Sequence, residues 1–209
     1  AYFFCFFGKT TSPPRLRAPG PCGGARSLPQ RSPGTDEIRP NLFLAGLDVA
    51  GNRETLAKKN ISAVVCCTTN REFPPGEEFP GLLYYRVDVE DQSREPIEEY
   101  FEEACEFIAD ALKDGHRVLV HCRSGVSRSA TIVMSFLMTK EDHSLHKAFF
   151  YIRSVRSIVQ PNMGFMEKLI EYELTIRNRG TLDLYKYQEW YTSADHPEVP
   201  DLDPDSDSD

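Results

Sequence analysis

Five residues, Arg117-Val-Leu-Val-His121, run without a spacer into the loop His121-Cys-Arg-Ser-Gly-Val-Ser-Arg-Ser129, and a strongly apolar stretch continues to Lys140. The short β-branched run reads as a buried strand, and the longer stretch, with Ile132, Val133, Phe136 and Leu137, as a buried helix. A loop caught between two such elements leaves the chain few ways to fold. The rest of the sequence alternates in the same way. Asn41–Ala45, Ile61–Cys67 and Leu82–Val87 read as strands, and Asn52–Asn60 as a short helix. Pro96 fits the first turn of a helix that carries Ile97, Tyr100, Phe101, Cys105, Ile108 and Leu112 at helical spacing and stops at Gly115. Ser144 caps a helix with Leu145, Ala148, Phe149, Ile152 and Val155; another follows Pro161-Asn162 with Phe165, Leu169, Tyr172 and Ile176. This alternation implies an α/β fold, a central, mostly parallel sheet flanked by helices in a single domain.

The 209 residues suffice for one domain with tails. Residues 1–36, rich in Pro, Gly, Ser and Arg, are expected to be a disordered leader, 37–178 the domain, and 179–209 a C-terminal extension ending in an acidic disordered tail. The apolar run Tyr2–Phe7 is far shorter than the ~20 residues that span a bilayer, so no transmembrane segment is expected. A net charge of -8 argues against a nucleic-acid surface and against a polybasic membrane patch. The six cysteines show neither CxxC spacing nor a Cys/His cluster. No disulfide framework, metal or cofactor is therefore expected, and reduced thiols in the cytoplasm, or also in the nucleus, fit better.

The loop from His121 to Ser129 has the layout of an anion cradle. A tight turn at Gly125 would aim backbone N–H groups inward, and the following helix adds the positive end of its dipole. Arg123, Ser124, Gly125, Val126, Ser127 and Arg128 would then surround a phosphoryl group, with Arg128 gripping two of its oxygens. The same field favours thiolate over thiol at Cys122, and a thiolate there can attack phosphorus to give a phosphocysteine. Ser129 can hydrogen-bond the sulfur, and His121 orients the loop. The leaving oxygen needs a proton donor, for which the segment Val87–Pro96 offers Asp88, Glu90 and Asp91. Composition does not choose among the three.

His121-Cys122 followed by Arg128 matches the HCxxxxxR signature of the protein tyrosine phosphatases. Gly125-Val-Ser-Arg-Ser-Ala130 and Pro161-Asn-Met-Gly-Phe165 resemble the dual-specificity branch, in particular its small atypical members, over about Ile38 to Leu174. The resemblance implies a protein tyrosine phosphatase-like fold and removal of phosphate from phosphotyrosine, phosphoserine and phosphothreonine. It assigns the acid/base role to Asp91, which lies about ten residues before a helical Phe and about thirty before the cysteine. It makes Asn162 a brace for the phosphate loop, a role compatible with a plain helix N-cap. Phosphorylated proteins, protein kinases among them, are the implied partners. Arg123-Ser124 departs from the neutral pair common in this branch. Inositide-directed relatives carry a basic residue at Arg123 and a second three residues later, where this chain has Val126. A phosphatase for inositides or other non-protein phosphates is therefore the alternative, and a phosphoprotein-binding scaffold the second. Cys66 and Cys67, ending a strand expected beside Cys122, raise the further expectation of a regulatory disulfide with it.

Overall fold

The computed structural model of the protein describes residues 34–193. The expected leader up to residue 33, with Cys5 and Cys22, and the expected acidic tail from residue 194 lie outside them. Strand β5 (Val118–His121) is the middle of the sheet. Its neighbours β2 (Leu42–Ala45) and β3 (Ala63–Cys66) run parallel to it, and β4 (Leu83–Arg86) lies parallel beyond β3. Strand β1 (Asp36–Arg39) closes the other edge antiparallel to β2, giving the order β1-β2-β5-β3-β4. Val118, Leu119 and Val120 are wholly buried because helices cover both faces, which is why the run is continuously apolar.

Side chains still alternate between the faces. Leu42, Leu44, Val65, Val118 and Val120 point into the larger core, whereas Phe43, Val64 and Leu119 join a smaller one beneath the short helices α1 (Leu47–Ala50) and α2 (Arg53–Lys58). The larger core belongs to α3 (Phe101–Lys113), α4 (Arg128–Lys140), α5 (Leu145–Val155), α6 (Met163–Arg177) and α7 (Leu184–Thr192). Helix α4 is buried without a break from Arg128 to Met138, its mainly apolar surface covered all round and its polar Arg128, Ser129, Thr131 and Ser135 buried with it. Gly115 ends α3 at φ +82°: its N–H reaches Leu112 O (3.1 Å) and the His116 N–H reaches Ala111 O (2.9 Å), the paired bonds of a left-handed helix exit. Ser144 caps α5 by accepting from Lys147 N at 3.1 Å.

Three features depart from the sequence pattern. Pro96 precedes a 3₁₀ turn, Ile97–Tyr100, and α3 begins only at Phe101. Strand β1 has Ile38 as its one buried residue, so it shows no apolar alternation; Asn41, at φ +68°, makes the tight return into β2. The core also continues past residue 178. In α7, Tyr187 and Trp190 are buried against Phe149, with ring centroids 5.6 and 6.0 Å away, and the Tyr187 hydroxyl donates to Pro161 O at 2.6 Å. That bond fixes the backbone one residue before Asn162.

Candidate active site

The loop leaves the carboxyl end of the central strand, the position at which open α/β sheets bind ligands. Four of its five carbonyls from Arg123 to Ser127 are held from outside the loop, and the fifth begins the ladder of α4. Leu47 N donates to Arg123 O (3.0 Å), Arg156 Nη2 to Ser124 O (3.0 Å), Arg156 Nε to Gly125 O (2.8 Å), Gln160 N to Val126 O (2.9 Å) and Thr131 N to Ser127 O (2.9 Å). In a planar trans peptide the N–H points opposite to the C=O. Turning five carbonyls out therefore turns the amides of residues 124–128 in. The Gly125 N–H donates to Cys122 Sγ at 3.2 Å, as this geometry requires. Gly125 sits at φ +67°, and a Cβ there would stand 2.5 Å from Ala45 O, so no other residue fits without moving β2 or the loop.

Cys122 is fully buried, and Ser129 Oγ donates to its sulfur at 3.2 Å. Arg128, also buried, spreads its guanidinium between two fixed acceptors. Nη1 and Nη2 donate to the Glu72 carboxylate at 2.5 and 3.1 Å, and Nη1 also to Val89 O at 3.1 Å. Among the described residues, the buried Nε of Arg128 has no hydrogen-bond partner. The hydrogen bonds from Arg128 hold the Glu72 carboxyl below the ordinary carboxylate range.

The three candidate acids are separated by their partners. Asp88 is turned to Asn70, accepting from its N (3.2 Å) and Nδ2 (2.7 Å), and Glu90 accepts from Gln92. Asp91 Oδ1 lies against the phosphate loop, accepting from Ser127 Oγ (2.7 Å) and Asn162 Nδ2 (2.8 Å). Asn162 also donates its N–H to Ser127 Oγ (3.1 Å) and caps α6 by accepting from Phe165 N (3.0 Å). Cap, loop and acid thus meet at one asparagine.

Asp91, Glu90, Glu72, Arg128, Arg123, Ser124 and Arg71 line one cavity of about 380 Å³. Arg123 and Ser124 are exposed on its rim, Gly125 and Ser127 are buried, and Val126 is partly buried. His121 is wholly buried, with Phe73 edge-on at 5.8 Å; burial, reinforced by the charges of Arg86 and Arg128, pushes its imidazole down to about 4, so it is neutral at pH 7. The register pairs Cys66 with His121, and the Cys67 N–H donates to His121 O at 2.7 Å, which sets Cys67 beside Cys122 in the larger core. Cys66 faces the other way and contacts Thr68 Oγ1 at 3.0 Å. The four described cysteines are free, and burial, then the neighbouring Cys122, pushes the Cys67 thiol up.

Three contributors carried no recognisable signal in the loop motif. Arg156 lies at the end of α5 and clamps two loop carbonyls from 31 and 32 positions away. Glu72 lies 56 residues from Arg128, in a Thr69-x-x-Glu72 box whose backbone and side chains bond reciprocally. That pattern could have marked the turn as built, though not its target. Gly164 lets α6 touch the backbone of Ser93 in the acid-bearing segment.

Comparison with known proteins bears on the family and the fold. The family described as "Dual specificity phosphatase, catalytic domain" matches residues 42–175. Mouse dual specificity phosphatase 28 is 34% identical over 145 residues, covering 69% of this chain and 87% of that protein. A probable rhodanese domain-containing dual specificity protein phosphatase of Dictyostelium discoideum is 39% identical over 138 residues; these cover 65% of this chain and only 28% of that protein's length. The crystal structure of human DUSP28 superposes with a TM-score of 0.65 at 32% identity, covering 72% of this chain and 99% of that one.

Proposed function

The chain belongs to the dual-specificity phosphatase family, and on that premise we propose that it hydrolyses phosphotyrosine, phosphoserine and phosphothreonine in proteins through a phosphocysteine on Cys122. The observation that carries this reading is the convergence on one sulfur: the Gly125 N–H and the Ser129 hydroxyl both donate to Cys122 Sγ at 3.2 Å, inside a loop whose carbonyls are turned outward.

In the first step the Cys122 thiolate attacks phosphorus and the bond from phosphorus to the ester oxygen breaks. Asp91 gives its proton to the departing oxygen, and inward amides with Arg128 take up the charge on the equatorial oxygens. In the second step the Asp91 carboxylate takes a proton from water, whose oxygen attacks phosphorus; the P–S bond breaks and inorganic phosphate leaves. Ser129, donating to sulfur, stabilises the thiolate as it departs. Ser127 and Asn162 keep Asp91 over the loop for both steps, and this placement supports Asp91 over Asp88 and Glu90. The open cavity with Arg123 and Arg71 at its mouth supports phosphorylated protein segments as substrates, protein kinases among them. A cysteine thiolate of this kind requires a reducing compartment, cytoplasm or nucleus.

A pull-down with Asp91→Ala or Cys122→Ser, scored against phosphotyrosine and phosphothreonine peptides and phosphoinositide vesicles, tests the substrate class. Retention of both phosphopeptides is expected. Retention of the vesicles alone would transfer the proposal to inositides. Binding of phosphopeptide without turnover by the unmodified protein would leave a scaffold.

A further inference from the structure

A guanidinium presents only one edge at a time to a phosphoryl group, and in Arg128 the choice of edge is made by Glu72. The fork at the end of the side chain is spent on Glu72, one N–H of each terminal nitrogen going to one carboxylate oxygen at 2.5 and 3.1 Å. The second N–H of Nη1 goes to Val89 O. What remains is the buried, unpartnered Nε–H and the second N–H of Nη2, two parallel donors on one edge. That edge is the complement of two phosphoryl oxygens.

The carboxylate is itself held in place. Its Oε2 accepts from Thr69 N at 3.1 Å, while Thr69 Oγ1 accepts from the Glu72 N–H at 3.3 Å. The turn that carries it is pinned from β4: Arg86 donates to Asn70 Oδ1 (3.0 Å) and to Phe73 O (2.8 Å), and Asp88 accepts from Asn70. Phe73 is buried edge-on against His121, the residue that opens the phosphate loop. A rigid path therefore leads from the sheet to the carboxylate.

We infer that Glu72 is a positioning residue for the phosphatase reaction, acting through Arg128 by holding its guanidinium with the Nε and Nη2 donors turned to the phosphoryl group. The inference rests on the reaction proposed above. It separates Glu72 from the acidic residues that share the cavity, because its effect has to pass through one arginine.

A double-mutant cycle tests it, with hydrolysis of p-nitrophenyl phosphate and inhibition by inorganic phosphate as readouts. Glu72→Ala should lower kcat/KM by about 10- to 100-fold, the range for losing charge-assisted hydrogen bonds, and weaken inhibition by phosphate. Glu72→Gln, which keeps shape and one acceptor, should fall between, and carries the same cycle if the alanine variant does not fold. In an Arg128→Lys background, which has no fork to orient, either substitution should change kcat/KM by less than about twofold. An equal loss in both backgrounds would make Glu72 a merely structural residue and overturn the inference. So would tighter inhibition by phosphate in Glu72→Gln, which would make Glu72 a competitor for Arg128. An unmodified protein with no hydrolysis at all would instead remove the reaction itself.

Discussion

Gly164→Ala adds one methyl group to the first turn of α6, and the account predicts that this methyl disables the acid while leaving the phosphate cradle intact. A Cβ built on Gly164 would lie 2.5 Å from both the carbonyl carbon and the Cα of Ser93. Ordinary carbon–carbon contact needs about 3.5 Å. The two backbones must therefore separate by about 1 Å, and neither can yield by rotating a side chain. Ser93 lies two residues after Asp91, which is held by Ser127 Oγ at 2.7 Å and Asn162 Nδ2 at 2.8 Å. Hydrogen bonds of that length do not survive a shift of this size, and a misplacement of about 1 Å in a reacting group costs on the order of 100-fold in rate. Overpacking costs about 1–3 kcal/mol of stability, offset in part by the roughly 1 kcal/mol that alanine gains over glycine within a helix. The protein should thus remain folded. The assay is turnover of phosphotyrosine, whose phenoxide leaves poorly, beside p-nitrophenyl phosphate, whose leaving group needs less help from an acid, with inhibition by inorganic phosphate as the control. Turnover of phosphotyrosine should fall by about 100-fold, that of p-nitrophenyl phosphate by less, and inhibition by phosphate should not change. Unchanged phosphotyrosine turnover in a folded Gly164→Ala protein would refute the reasoning.

Other perturbations have equally specific outcomes. Arg156→Met removes the clamps on Ser124 O and Gly125 O and the 2.7 Å ion pair to Asp36; it should cost about 3 kcal/mol, lower Tm by about 6–12 °C in thermal unfolding and weaken phosphate binding with it. Tm loss without any change in phosphate binding would mean that the clamp does not set the loop. Asp91→Asn should cut turnover and spare phosphate binding, and should cost far more turnover than Asp88→Asn, whose contacts are with Asn70 in the turn that carries Glu72; the reverse order in steady-state kinetics would move the acid. His121 is held neutral in the folded state, with its pKa lowered from 6.5 to about 4, so the unfolded chain binds the extra proton first as pH falls. Its contribution is complete above pH 6.5 and is lost on going down to pH 4, about 3 kcal/mol in all. Denaturant melts of His121→Gln should lack this part of the slope, and an identical slope would contradict the assignment.

The parts of this site that lie close together in the chain are legible in the sequence. Strand, loop and helix follow one another from Val118 to Lys140, so the residue types that build the cradle stand in order and their spacing carries the chemistry. Asp91 is one of three equivalent carboxylates in the sequence and only the resemblance selects it, because what distinguishes it is contact with Ser127 and Asn162, 36 and 71 residues away. Arg156 and Glu72 were silent for the same reason. An arginine at the end of an amphipathic helix reads as a solvated charge until the loop carbonyls it holds are known. Strand β1 leaves no pattern in the sequence because it buries a single isoleucine, and α7 leaves none because Tyr187 and Trp190 are interleaved with Lys186, Gln188 and Glu189. Asn162, by contrast, follows Pro161 as a helix cap in the sequence, and its three polar atoms serve α6, Ser127 and Asp91 together.

The central claim is that phosphate passes through the sulfur of Cys122. Rapid acid quenching of the protein during turnover of a phosphotyrosine peptide, followed by mass spectrometry of its proteolytic fragments, tests it most directly. The account predicts a phosphate-bearing fragment that contains Cys122, formed by the unmodified protein, and neither that fragment nor turnover with Cys122→Ala. Phosphate on any other residue, or hydrolysis that persists in Cys122→Ala, would contradict it.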